Sequence, residues 1–225
     1  MSINQNSLMV VIEKNHPHFD LIKKRFNVKS MDEAIASYET YEYVLDFTIL
    51  KTEKKCLFLK ELAKTTRAHI ISDLTCTFQE KVFHLIPQVK GSISSYFYSP
   101  TETIEFYFRE NLDPKLKIEL SKLIDDFMGL INLKTRESKV LEFTFTMPRV
   151  VSQIINEAYY ALEENLATPN DIDQAMLFGV NYPLGPITWG HKTGLKNVLH
   201  LLEEIFQETK DSRYKPSMKL KKECL

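Results

Sequence analysis

The chain has 225 residues, 44% of them hydrophobic, with 29 Lys and Arg against 30 Asp and Glu for a formal charge of −1. That apolar content suffices for a packed core, and the balanced charge excludes the global basic field that draws a protein to nucleic acid or an anionic membrane. No apolar run reaches the roughly 20 residues of a membrane span, and the opening Met-Ser-Ile-Asn-Gln-Asn lacks the regions of a secretory signal, so a cytoplasmic location is expected. Cys56, Cys76 and Cys224 are an odd set without paired spacing and read as reduced thiols, not as a disulfide framework or a zinc site.

Leu8 to Ile12 is a short apolar run rich in β-branched residues and predicts a buried strand. Phe19, Ile22 and Phe26 have helical spacing within 17–26, and Ser30-x-x-Glu33 has the form of a capping box opening a second short helix. Tyr43 to Leu50 predicts a strand, and Thr52 to Lys64 a helix with Cys56, Leu59, Leu62 and Ala63 inward. The pattern continues with a strand over His69 to Leu74, a helix over Phe78 to Ile86, and strands over Ser92 to Tyr98 and Thr103 to Arg109. Asp113-Pro114 opens a helix that Gly129 is expected to end. Such strand and helix alternation implies an α/β domain with a mostly parallel sheet.

Leu141 to Thr146 reads as an extended linker, after which the composition turns helical, placing a domain boundary at 143/144. Pro148 can open a long helix with Val151, Ile154, Ile155, Ala158 and Leu162 on one stripe. Thr168-Pro169-Asn170-Asp171 caps the next helix, and 195–208 carries a third helical pattern. The adjacent pairs Val150 and Val151, Ile154 and Ile155, and Tyr159 and Tyr160, with the broad stripe of Leu195, Val198, Leu199, Leu201, Leu202 and Ile205, predict a homodimer through this helical domain. The basic runs Lys23-Lys24-Arg25, Lys54-Lys55 and 219–222 read as solvated faces and a tail. His16-x-His18-x-Asp20 has ligand types at alternate positions, but Pro17 and the helical spacing beyond it give no metal site.

Four of the six glycines lie between 179 and 194, in Gly179-Val180-Asn181-Tyr182-Pro183-Leu184-Gly185-Pro186 and on to Gly194-Leu195. With Asn156-Glu157-Ala158 and Asp171-Ile172-Asp173-Gln174-Ala175-Met176, this order and spacing resembles the C-terminal domain of the 3-hydroxyacyl-CoA dehydrogenase family over about 147–220. The resemblance implies a truncated Rossmann-like α/β domain over 1–143, then a helical domain of the 6-phosphogluconate dehydrogenase C-terminal type over 144–225. In that family the first domain holds NAD and the helical domain supplies dimer contacts and part of the acyl-CoA site.

Held against the family pattern, the N-terminal half departs. A dinucleotide needs a glycine-rich turn after the first strand, where backbone amides at a helix start meet pyrophosphate. Here Glu13-Lys14-Asn15-His16-Pro17 stands in that place, and no glycine precedes Gly91. About 30 residues separate the first strand from Tyr43, too few for the usual adenosine half, so no cofactor is expected. The family's catalytic histidine falls on Tyr96, a poor base at neutral pH, and its glutamate on Phe108, with Glu105 and Glu110 on neighbouring positions. Its serine position is Thr75, its asparagine position before the long helix is Pro148, and Arg149 follows in the expected place. Thr75, Tyr96 and Ser99 are the candidate substrate-binding residues, with no confident catalytic residue.

The leading expectation is thus a divergent homologue without NAD binding or turnover that binds an acyl-CoA or a partner protein. Two alternatives stand beside it. One is an active NAD-dependent 3-hydroxyacyl-CoA dehydrogenase of fatty-acid metabolism with a rearranged site, and the other is a structural subunit of a full-length relative.

Overall fold

The computed structural model describes residues 5–95, 100–141 and 143–225. They divide into two compact units, one of residues 5–95 with 102–145 and one of residues 100–101 with 146–225.

The first unit opens with β1 (Leu8–Val11), α1 (Phe19–Lys23), β2 (Val28–Lys29) and α2 (Met31–Ile35). It continues through β3 (Tyr43–Asp46), α3 (Thr52–Thr65), β4 (His69–Asp73), α4 (Gln79–Leu85) and β5 (Val89–Ile93). It closes with β6 (Thr103–Phe108), α5 (Pro114–Leu130) and β7 (Lys134–Glu137). The strands form one sheet in the order β2-β1-β3-β4-β5-β6-β7, parallel except where β5 meets β6.

Both faces of this sheet are covered, as the period-two alternation of its strands requires. Leu8, Val10, Leu45, Phe47, Ile71, Ile93, Phe106 and Phe108 pack with Ile22 of α1 and with Leu120, Ile124 and Phe127 of α5. Met9, Val11, Val44, Ile70, Val89 and Tyr107 pack with Leu59 and Leu62 of α3 and Val82 and Phe83 of α4. The doubly wound α/β architecture expected from the sequence is therefore present, followed by a helical unit. In the dinucleotide-binding order of such sheets two strands lie beyond β1 on the side of β2. Here β2 alone lies there, and it is two residues long.

Several boundaries differ from the sequence reading. β5 begins at Val89 rather than Ser92. Gly129 lies inside α5, with nothing near the position of a Cβ, and the turn comes at Asn132, whose φ is 59°. Asparagine tolerates this left-handed conformation better than most residues, so it ends the helix where glycine was expected to. Leu141 and Phe143 to Thr144 form no strand, and β2 and β7 carry too little apolar pattern to have been predicted.

The second unit contains α6 (Thr146–Glu163), α7 (Pro169–Gly179), α8 (Pro186–Thr193), α9 (Leu195–Thr209) and α10 (Met218–Glu223). Thr168 and Asp171 make the expected reciprocal cap at the start of α7. The basic segment 219–222 lies within α10, which anchors through fully buried Leu220. Asn156 of α6 fastens the approach to α10, its amide donating to the Lys215 carbonyl at 2.9 Å and its Oδ1 accepting from the Ser217 N–H at 2.9 Å. Most of the broad stripe on α6 and α9 is covered inside the unit: Ile155, Tyr159, Val198, Leu201 and Leu202 are fully buried. The open apolar surface lies instead on and beside α7, where no residue is buried and Phe178 is 82% exposed.

Candidate functional site

Parallel α/β sheets present ligands at the carboxyl ends of their strands, so the loops after β1, β3, β4 and β5 define the candidate site. Those loops carry an unusual density of buried polar groups: His16, Asp46, Thr48, Ser72, Asp73, Thr75, Ser94 and Ser95, joined by Lys55 of α3. Buried polar groups are stable only when hydrogen-bonded, and these are tied into two networks.

The first network centres on Asp46 at the end of β3. Lys55 Nζ donates to Asp46 Oδ2 at 2.6 Å, to the Thr48 carbonyl at 2.6 Å and to Thr48 Oγ1 at 3.0 Å. Asp46 also accepts from the Thr48 N–H and hydroxyl and from Ser72 Oγ at 2.6 Å. Both charged side chains are wholly inaccessible. The reading of Lys54-Lys55 as a solvated pair is thus corrected at Lys55. The signal was present in the sequence, because Lys55, Leu59 and Leu62 share the i, i+4, i+7 stripe that faces the sheet.

The second network centres on Asp73 at the end of β4. Its Oδ1 accepts from the Thr75 N–H at 2.9 Å, and its Oδ2 accepts from the N–H of Ser95 at 2.6 Å and from the Ser95 hydroxyl. Burial raises the Asp73 pKa, opposed by the hydrogen bonds of Ser95 and Thr75 and by the charge of Lys55. His16, in the turn after β1, reaches the same serine, with Nε2 3.4 Å from Ser95 Oγ. Its Nδ1 accepts from the His18 N–H at 3.2 Å, which leaves the ring proton on Nε2. Burial, helped by the neighbouring His18, lowers the His16 pKa to about 3, so the ring is neutral. One carboxylate thereby joins the loops after β4, β5 and β1.

Thr75 sits within this cluster and is 1% exposed; its hydroxyl donates to Ser94 Oγ at 3.2 Å, while Thr144 Oγ1 donates to its carbonyl. Phe108 is buried in the core, and Gly91 makes room for it: a Cβ there would lie 2.8 Å from the Phe108 ring. Glu105, on the opposite face of β6, is 7% exposed and lies 3.8 Å from Arg136. Tyr96 and Ser99 lie outside the described residues. Pro148 is buried in the first turn of α6, and Arg149 Nε donates to the Tyr214 hydroxyl at 2.6 Å. His16, Asp73 and Ser95 were missed as a group. Their signal is faint in a sequence, since polar residues just past strand ends look like ordinary loop chemistry.

In the helical unit, Asp173 of α7 caps α8. Its carboxylate accepts from the N–H groups of Ile187 at 2.8 Å and Thr188 at 3.0 Å, and from the Thr188 hydroxyl. Gly185 is the N-cap and Pro186 the first helical residue, the arrangement that turn chemistry favours.

A doubly wound sheet followed by a five-helix unit is the architecture of the class of dehydrogenases whose solved structures this chain resembles. Residues 145–224 match the family model described as 3-hydroxyacyl-CoA dehydrogenase, C-terminal domain. The 3-hydroxyadipyl-CoA dehydrogenase of Escherichia coli K12 is 44% identical over 77 residues, which cover 34% of this chain and 16% of that protein. A 3-hydroxybutyryl-CoA dehydrogenase of Bradyrhizobium diazoefficiens is 33% identical over 179 residues, 78% of this chain and 60% of that protein. The crystal structure of (S)-3-hydroxybutyryl-CoA dehydrogenase from Ralstonia eutropha shares the fold with a TM-score of 0.64 at 21% identity, covering 91% of this chain and 76% of that one. Residues 145–224 carry the C-terminal domain of the 3-hydroxyacyl-CoA dehydrogenase family, and the matches span less than two thirds of either curated relative's length.

These relatives overturn the expectation that no cofactor is involved. They are dehydrogenases by name, of the family for which the resemblance implies NAD. The expectation rested on the β1 turn and on the short stretch between β1 and Tyr43. That turn indeed forms no glycine cradle, since Glu13 accepts from the Met31 N–H at 3.3 Å and His16 is buried against Ser95. A dinucleotide site, however, also spans the ends of the strands on the other side of β1, and β3, β4 and β5 are present in parallel register there.

Proposed function

We propose that this chain binds an acyl-CoA at the carboxyl edge of its sheet and does not turn it over. The acyl-CoA is carried over from the relatives, whose names specify 3-hydroxyadipyl-CoA and 3-hydroxybutyryl-CoA. The absence of turnover is supported by one observation. His16, the histidine bonded into this edge, has both ring nitrogens engaged and is held neutral by burial, so it offers no lone pair to a substrate hydroxyl. The family's own base position holds Tyr96, a phenol whose ordinary pKa is near 10.

The test is calorimetric titration with acetoacetyl-CoA, beside an assay following the absorbance of NADH as acetoacetyl-CoA is added. Saturable binding is expected, with turnover slower than that of an active relative by about 10²-fold or more, the usual contribution of general acid/base catalysis. Turnover within tenfold of the relative would overturn the reading.

We further propose that the chain forms a homodimer through α7. This rests on the exposure of Leu166 (70%), Phe178 (82%) and Val180 (57%) on and beside a helix with no buried residue. Exposed apolar side chains gathered on one element favour a self-complementary two-fold contact.

A further inference from the structure

The amino-terminal edge of the sheet, remote from the ligand edge, holds an open pocket of about 280 Å³ lined by Arg67, Ala68, His69, Pro87, Gln88 and Lys90. Lys90 Nζ donates to the Pro87 carbonyl at 2.8 Å. Arg109, whose N–H bonds the Lys90 carbonyl, sends Nη1 to the same Pro87 carbonyl at 2.9 Å and Nη2 to the Phe83 carbonyl at 2.7 Å. Two cations therefore converge on one backbone oxygen, and Arg67 stands at the rim of the same pocket.

This convergence is electrostatically unfavourable by itself, and no ion pair with a carboxylate is formed by Arg67, Lys90 or Arg109 among the described residues. Burial and the charge of Arg109 both lower the Lys90 pKa, and Lys90 in turn helps burial to lower that of His69. The carboxylates of Glu42 and Glu119 act on His69 in the opposite sense. The positive side of the pocket is that of Arg67 and Lys90, with Arg109 bonded to the Lys90 and Pro87 carbonyls beside it. Cations held together by backbone tethers, without an acid to neutralise them, form a site that gains by taking up an anion. Gln88, also in the lining, supplies an uncharged amide donor.

From this geometry we infer a binding site for a phosphate-type dianion at the amino-terminal edge of the sheet, held by Arg67, Lys90 and Gln88, with Arg109 fixing Lys90 and the loop at Pro87. It shares no residue with the carboxyl-edge networks and is independent of the acyl-CoA proposal.

The test is calorimetric titration of the full chain with inorganic phosphate at low salt, repeated with chloride at matched ionic strength. Saturable one-site binding of phosphate is expected. The double variant Arg67→Gln with Lys90→Gln should weaken it by about tenfold or more, because two charge-assisted contacts are lost. A control pair on exposed α3 and α10 lysines, Lys54→Gln with Lys219→Gln, removes the same charge elsewhere and should leave binding unchanged. No saturable phosphate heat, equal binding by the Arg67 and Lys90 variant, or an equal loss in the control pair would each overturn the site. Thermal melts of both variants without phosphate should match the parent, so a loss of binding cannot be assigned to unfolding.

Discussion

Asp173 and Gly185 occupy space that only glycine leaves open: a Cβ built on Gly185 would lie 2.2 Å from Asp173 Cγ. The carboxylate must cross above the N-cap to reach the N–H groups of Ile187 and Thr188, so the cap and the glycine are one device. Gly185→Ala should cost about 2–3 kcal/mol, combining overpacking with a displaced cap. Asp173→Ala alone should cost about 1 kcal/mol. In the double variant the alanine should be much less harmful than in the parent, since its clash partner is gone. Denaturant unfolding of the four proteins checks this, and additive costs would refute the coupling.

The ion pair of Lys55 and Asp46 makes a second, sharper expectation. Lys55→Met leaves a wholly buried carboxylate with only neutral donors, and breaking such a pair from one side typically costs about 3–5 kcal/mol. Urea unfolding should show that loss, whereas Lys54→Met next door, on an exposed position, should stay within about 0.5 kcal/mol. A cost below 1 kcal/mol for Lys55→Met would mean the pair is not held as described.

His16 should make the protein acid-sensitive. Its folded pKa, about 3, lies below the unfolded value of 6.5, so between these values the unfolded chain binds the extra proton. The stability it contributes is complete above pH 6.5 and is lost progressively as pH falls toward 3. At pH 5 the loss relative to pH 7.5 should reach about 2 kcal/mol from this residue. His16→Gln, which retains an amide donor but has no proton to gain, should flatten that part of the stability curve. An unchanged pH dependence in the variant would remove His16 as its source.

For the α7 face, light scattering at micromolar concentration should report about twice the chain mass, and Phe178→Glu should return it to one, because a charge at the centre of an apolar contact is left unpaired. A monomeric parent would eliminate the dimer.

The sequence was most legible where local pattern and tertiary role agree. Strands such as β1 and β3 alternate between two apolar faces, and the caps at Ser30 and Thr168 follow from short-range hydrogen bonding, so both were readable. β7, spelled Lys134-Thr135-Arg136-Glu137, has no apolar period and exists because β6 offers it a partner. α10 is a charged segment made helical by one buried leucine and by Glu163, which accepts from the N–H groups of Met218 and Lys219. The polar networks at the carboxyl edge were the least legible part. Asp73 and Ser95 are 22 residues apart and His16 a further 57 from Asp73, so only the folded sheet brings them together.

The two margins of the sheet bear on how the protein behaves at high concentration. A strand lost beyond β2 could have left a long row of unpaired amides ready to recruit another chain. Instead that margin is two residues long, with Lys29 paired to Glu39 at 3.2 Å and lying over the Tyr41 ring. The opposite margin, β7, carries Lys134, Arg136 and Glu137 at exposed positions. Short length at one side and charge at the other are the means by which sheets resist edge-to-edge growth. The shortened domain thus avoids becoming a template for fibrils.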